Sequence, residues 1–305
     1  MADGRHLSDY AFFPLYPLSE RVLHGLSGLS YVDAGLAISS VASGVGACGI
    51  YAVASLVHDA RVGVVTALLW AALPVAIVTS MAYSEALFTA VAAWALHAVL
   101  RERWLAAGCL AVLAGLTRPV GAAVVAAVVI PAALQVVRAR RVRPSLVIGA
   151  VLAPLGWLGH VAWVGVRTGE PLGYFGVADA WGNGLDGGRA FASRIGVLLT
   201  GRSWPLGVLL VVGVLVLLGL LALAVVDRQP IPLLVFAAGL VLLTLATSGY
   251  FGSKPRYLLP AFPLLVPVAV RLSRLSARAV TGVVAALVVV SLIYGETWLL
   301  GSGPP

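Results

Sequence analysis

The chain has 305 residues, 61% of them hydrophobic and only 10% charged, with a mean hydropathy of +1.02. That is far outside the range of a soluble domain with a polar surface and predicts an integral membrane protein, excluding disorder and nucleic-acid binding as whole-chain descriptions. The net charge of +8 comes from 19 Arg and one Lys against 12 acids, and in a membrane protein such an excess first reports topology.

Residues 1–32 are mixed and aromatic, and the first apolar run is too long for the core of a cleavable signal peptide, so the apolar runs are expected to be permanent spans. Within this stretch Leu15, Leu18, Val22, Leu23 and Leu26 fall mostly on one helical face, which predicts a short amphipathic helix lying in the outer interface. Gly25-Leu26-Ser27-Gly28 matches an intramembrane serine-protease motif, but it precedes a span and His160 has no supporting motif, so that reading is declined.

Apolar runs follow at about 33–57, 62–82, 85–100, 104–116, 120–137, 145–166, 205–226, 231–248, 257–270 and 279–299. They predict an all-α, polytopic bundle of about ten transmembrane spans, with outer-face loops and short interfacial helices. The chain is read as one integral membrane domain, 1–305, with an outer segment (1–32), spans one to six (33–166), an outer loop (167–204) and spans seven to ten (205–299). Cys48 and Cys109 lie inside apolar runs without a second Cys or His at ligand spacing and are expected to be packing residues.

With Met1 outside, the inner turns hold Arg61, Arg101, Arg103, Arg138, Arg140, Arg141, Arg143, Arg228, Arg271, Arg274 and Arg278, against only Asp59, Glu102 and Asp227. The positive-inside rule is then met at every inner turn. One long span over 104–137 would put the Arg138–Arg143 cluster outside, so a hairpin is expected at Thr117-Arg118-Pro119. The same orientation gathers the polar residues of interest on the outer face, including the Gly- and aromatic-rich loop with Tyr174, Phe175 and Trp181.

Five charges stand out there. Glu85 lies 15 residues along its run from Leu100, about 22 Å of helical rise, which places it below the outer surface. A carboxylate at that depth is costly unless it faces a partner or a wet cavity, although an interfacial acid at a helix N-terminus is the alternative. Arg118 is recessed in the same way and suits either a phosphate or an ion pair with Glu85. Lys254, the sole lysine, and Arg256 flank Pro255 beside Tyr257, as interface anchors or as part of a phosphate clamp. Asp9 is either a base or a solvated acid in a terminal segment. The histidines have no metalloprotease spacing, and the outward acids are too few and separated to define a metal cage, so no metal is expected.

Asp9–Leu18 (DYAFFPLYPL), Ala72–Phe88 (ALPVAIVTSMAYSEALF), Leu113–Gly121 (LAGLTRPVG) and Pro255–Leu264 (PRYLLPAFPL) together resemble the bacterial PIG-V-like mannosyltransferases. These are relatives of the second mannosyltransferase of glycosylphosphatidylinositol-anchor synthesis, in the GT-C class of polytopic glycosyltransferases. The resemblance covers nearly the whole chain. It implies transfer of mannose, without a cofactor, from a polyprenyl-phosphate-mannose donor to a glycolipid or glycan acceptor, in the cell membrane and on its extracytoplasmic face. It further implies Glu85 and Asp9 as catalytic carboxylates, Arg118, Lys254 and Arg256 as donor-phosphate ligands, and Tyr10, Phe12, Tyr16, Tyr83, Ser84 and Tyr257 as residues facing substrate or lipid.

One departure matters. Members of the class carry an acidic Trp-Asp motif in a first outer loop, after one leading helix, and no Trp-Asp pair occurs here. The expectation is therefore an N-terminally truncated member, inactive as given if the missing loop is essential. The competing classes are a secondary transporter or lipid flippase and a non-catalytic membrane subunit. A transporter predicts polar residues near the midplane and on both sides, whereas here they crowd toward one face.

Overall fold

The computed structural model describes residues 8–139, 143–249 and 251–299. The helices run α1 (Leu15–Ser27), α2 (Tyr31–Val57), α3 (Ala60–Ala71), α4 (Glu85–Leu100), α5 (Trp104–Gly115), α6 (Ala122–Ala139), α7 (Pro144–Leu152) and α8 (Leu155–Thr168). They continue with α9 (Gly173–Ala180), α10 (Arg189–Thr200), α11 (Trp204–Val226), α12 (Ile231–Ala246), α13 (Lys254–Tyr257), α14 (Val266–Leu272) and α15 (Ala277–Leu299). No strand is present among the described residues, and the all-α expectation holds.

The expected ten spans are not confirmed. Among the described residues five helical stretches are long and apolar enough to cross a membrane: Tyr31–Val57, Pro119–Arg138, Pro144–Thr168, Trp204–Val226 and Ala277–Glu296. A sixth is counted if Ala60–Ala71 and Pro74–Ser80, bent by 79°, form one span. The remaining runs form shorter apolar helices, of which α5 at 12 residues rises only about 18 Å against roughly 30 Å of hydrocarbon.

The run read as one span over 62–82 breaks because Pro74 supplies no amide hydrogen, and the chain continues as a 3-10 helix, Pro74–Ser80. The break is supported from outside: Ser291 Oγ on α15 donates to the Ala72 carbonyl at 2.7 Å, and Trp70 Nε1 donates to the Leu259 carbonyl at 3.0 Å.

Small residues set the helix crossings. A Cβ at Gly49 of α2 would stand 2.9 Å from the Ala93 Cβ of α4, and one at Gly46 would touch the Ala90 backbone, so α2 and α4 run parallel in close contact. The large core centres on α4, α5, α6 and α12, with Phe88, Leu96, Val124, Phe236 and Leu240 fully buried. The expected turn at residues 117–119 is present, with α5 ending at Gly115 and a short 3-10 turn, Pro119–Gly121, opening the next helix.

The N-terminal segment is ordered by aromatic contacts. Phe13 packs 4.2 Å from the His160 ring and 5.5 Å from Tyr174, while Leu15 N–H donates to the Leu116 carbonyl at 2.9 Å. Helix α1 turns Tyr16 inward and exposes Leu18, Val22 and Leu26, as an interfacial helix requires. Gly28 ends it with φ +71°, its N–H donating to the His24 carbonyl, so the glycines of the declined protease motif include a helix terminator. Cys48 and Cys109 are both free and exposed on helix surfaces.

Candidate active site

Three breaks in the helical architecture meet at one end of the bundle. Glu85 opens α4 after the Tyr83-Ser84 turn, Arg118 sits between α5 and the Pro119–Gly121 turn, and Arg256 lies in the four-residue α13. Each is a place where backbone leaves the helix and a long side chain can turn inward.

Glu85 is 1% exposed. Its Oε2 lies 2.7 Å from Arg118 Nη1 and its Oε1 3.4 Å from Arg256 Nε. These approaches are electrostatic and not aligned hydrogen bonds: both carboxylate oxygens, with Arg256 Nε and Nη1, lack a hydrogen-bond partner. One carboxylate facing two guanidinium groups leaves the cluster with an excess of one positive charge. Arg118 and Arg256 keep 12% and 17% of their side-chain surface exposed, and it is through that surface that the excess charge faces outward.

Aromatic rings wall the cluster. The Arg256 guanidinium lies 4.8 Å from the Tyr83 ring centre and 5.5 Å from that of Tyr257, and Arg118 lies 5.4 Å from Tyr257. Arg118 Nη1 also donates to Ser84 Oγ at 3.1 Å. Glu85, Arg118, Arg256, Tyr83, Ser84 and Tyr257 are thus brought together.

Tyr16 approaches from behind. Its hydroxyl donates to the Gly35 carbonyl at 3.0 Å and lies 3.1 Å from Ser39 Oγ, which donates to the Tyr83 carbonyl at 3.1 Å. Burial raises the Tyr16 phenol to about 12, so it stays protonated. Ser39 escaped the sequence reading; the available signal was a hydroxyl within an apolar run.

Lys254 is buried, and its Nζ donates to the carbonyls of Thr244 at 2.7 Å and Thr247 at 2.6 Å. It closes the C-terminal end of α12, while its ammonium lies 5.3 Å from the Phe191 ring. The loop at 184–188 is laced to the same turn, with the Asp186 and Gly187 N–H groups donating to the Ala246 carbonyl, both at 3.1 Å.

The remaining residues sit apart from these contacts. Asp9 is exposed in a 3-10 turn, Asp9–Ala11, capped by Ser8. Tyr10 packs at 5.0 Å against Trp163, and Phe12 at 5.1 Å against Trp181. No group of three or more His, Cys, Asp or Glu residues converges among the described residues.

No family model and no curated protein matches the chain. Among solved structures, ArnT from Cupriavidus metallidurans bound to undecaprenyl phosphate matches with a TM-score of 0.60 at 19% identity, over 96% of this chain and 55% of that one. The apo state of the same protein gives 0.59 at 20% identity, over 96% and 54%. The chain is similar in fold to ArnT. The chain spans about half of ArnT's length. Together with the five helical stretches long and apolar enough to cross a membrane, this ArnT-like fold supports a multi-pass membrane protein.

Proposed function

We propose that this chain is a membrane glycosyltransferase that takes a sugar from a polyprenyl-phosphate donor. The observation that carries the reading is the convergence of Arg118 and Arg256 on a buried Glu85 beneath Tyr83 and Tyr257, in an ArnT-like fold. ArnT was crystallised with undecaprenyl phosphate, which supports the donor class. Mannose as the sugar and a glycolipid or glycan acceptor rest on the PIG-V-like motifs, and the extracytoplasmic face on the arginine-rich turns at the opposite end.

In the reaction an acceptor hydroxyl gives its proton to a carboxylate base and attacks the sugar's anomeric carbon, the carbon–oxygen bond to phosphate breaks, and polyprenyl phosphate leaves. The charge that develops on the leaving phosphate is met by Arg118 and Arg256, whose placement precedes the reaction and costs no reorganisation. Glu85, nearly sealed from solvent, works in this reading by holding the two guanidinium groups. An acceptor hydroxyl reaches it only if it is uncovered, whereas exposed Asp9 is open to an acceptor from the start. Lys254 acts by fixing the turn that carries Arg256.

The test is made with the full chain in lipid nanodiscs. Undecaprenyl phosphate binding is expected, with uncharged undecaprenol bound weakly, and Arg118→Gln or Arg256→Gln each lowering phosphate-lipid affinity about tenfold or more. Labelled mannose should then pass from polyprenyl-phosphate mannose into membrane glycolipids. Equal affinity for the phosphate and the alcohol would remove the proposed site; binding without transfer would move the reading to a non-catalytic subunit.

A further inference from the structure

At the end opposite Glu85, a groove of about 590 Å³ opens between α3 and the start of α15, lined by Arg61, Val64, Leu68, Arg274, Val280 and Thr281 among others. Its size falls within the range of ligand pockets. The depth follows from α2: Ser39 meets Tyr83 at the Glu85 end, and Val57 ends the helix 18 residues later, about 27 Å by helical rise. Arg61 begins the next helix, so the groove lies at the far boundary of the hydrocarbon.

The two arginines differ from their neighbours. Arg143 is paired with Glu102 and Arg271 with Asp227, whereas among the described residues neither Arg61 nor Arg274 touches a carboxylate, Arg274 acting on Asp227 only at longer range. Arg61 Nη2 donates to the Leu275 carbonyl at 2.6 Å, which fixes its guanidinium at the groove's mouth and leaves its other donors open. From that mouth the wall turns apolar along the helix: Val64 and Leu68, one turn apart, are exposed while Val65 and Leu69 are buried.

We propose that this groove is a binding site for an anionic phospholipid of the adjoining leaflet, with its phosphate between Arg61 and Arg274 and an acyl chain along Val64 and Leu68. Paired cations over an apolar channel directed into the bilayer are complementary to a charged headgroup with a hydrocarbon tail, and to neither feature alone. The site is distinct from the Glu85 cluster, and the proposal does not depend on what that cluster does.

The full chain is reconstituted in nanodiscs and released into detergent, and retained lipid is read by native mass spectrometry with phosphatidylglycerol, phosphatidylcholine and inorganic phosphate as probes. Phosphatidylglycerol should be retained in preference to phosphatidylcholine, and Arg61→Gln with Arg274→Gln should weaken it about twenty-five-fold, taking roughly fivefold per cation. Arg61→Lys with Arg274→Lys should keep most of the retention. Leu68→Trp, which fills the channel and leaves both cations, should lower it. Equal retention of both lipids, retention that survives both the glutamine pair and Leu68→Trp, or phosphate binding as tightly as phosphatidylglycerol would overturn the proposal. A dimer whose second copy covers the groove would do so too. Should the glutamine pair fail to fold, Leu68→Trp and the lysine pair decide the matter.

Discussion

Arg118 Nη1 stands 2.7 Å from Glu85 Oε2, in a place where only 1% of the Glu85 surface meets solvent. An ion pair so buried is a poor source of net stability, yet removing one partner strands the other charge, typically at about 3–5 kcal/mol. Glu85→Gln should therefore lower the thermal midpoint of the purified protein markedly. Adding Arg118→Gln should recover part of that loss, because only Arg256 is then left without its carboxylate. Thermal unfolding of both single variants and the double variant measures the coupling; additive losses would show that the two side chains are not energetically linked.

Much of this site was legible from charge placed against hydropathy. Glu85, Arg118 and Arg256 interrupt or border apolar runs, and helical rise alone put Glu85 and Arg118 below the surface. Their mutual distances were not legible, because they depend on how three separate helix ends pack. The Pro74 break was hidden by a run that stays apolar on both sides, so hydropathy read one span where a missing amide hydrogen makes a 79° bend. Short helices such as α5 share the composition of full spans, so apolar runs alone do not separate the five long helices from the shorter ones. The Lys254 contacts depend on the carbonyls left open at the end of α12, which no residue pattern reports.

Backbone-to-backbone contact at glycine gives a second stability prediction. A Cβ at Gly108 of α5 would lie 2.5 Å from the Gly149 carbonyl oxygen of α7 and 2.8 Å from its Cα. Neither atom can yield without moving a helix. Gly108→Val should cost at least the 1–3 kcal/mol typical of overpacking, or about that much again if the helices separate. Gly44→Ala, with no atom within 4 Å of its added Cβ, should be tolerated. Comparable folded yields for the two variants on size-exclusion chromatography would contradict the crossing.

Asp186 supplies a pH dependence outside the membrane spans. Its carboxylate accepts from the Ala190 and Gly188 N–H groups, each at 2.8 Å. Chiefly the Ala190 contact holds its pKa below the ordinary 3.8, and the Lys254 charge adds to the effect. A lowered folded-state value means the contribution is fully present above 3.8 and is lost as pH falls through the depressed value. Asp186→Asn should therefore melt earlier than the native chain at neutral pH, and the two curves should converge in acid below 3.8. A gap that stays constant down to acid would mean that the charge of Asp186 contributes nothing to the turn.

Lys254 separates a structural cation from a ligand-binding one. With Nζ already donating to Thr244 and Thr247 carbonyls, its removal strands two acceptors at a helix end, and a hydrogen bond from a charged donor contributes about 1.5–3 kcal/mol. Lys254→Met should lower the thermal midpoint strongly. In the fraction that remains folded in the cold, undecaprenyl phosphate affinity should fall less than the tenfold expected for Arg118→Gln, because the arginines still face the phosphate. The opposite pattern, an unchanged midpoint with affinity lost as fully as in Arg118→Gln, would make Lys254 a direct phosphate ligand. It would also require the α12 carbonyls to find another donor whenever the lipid binds.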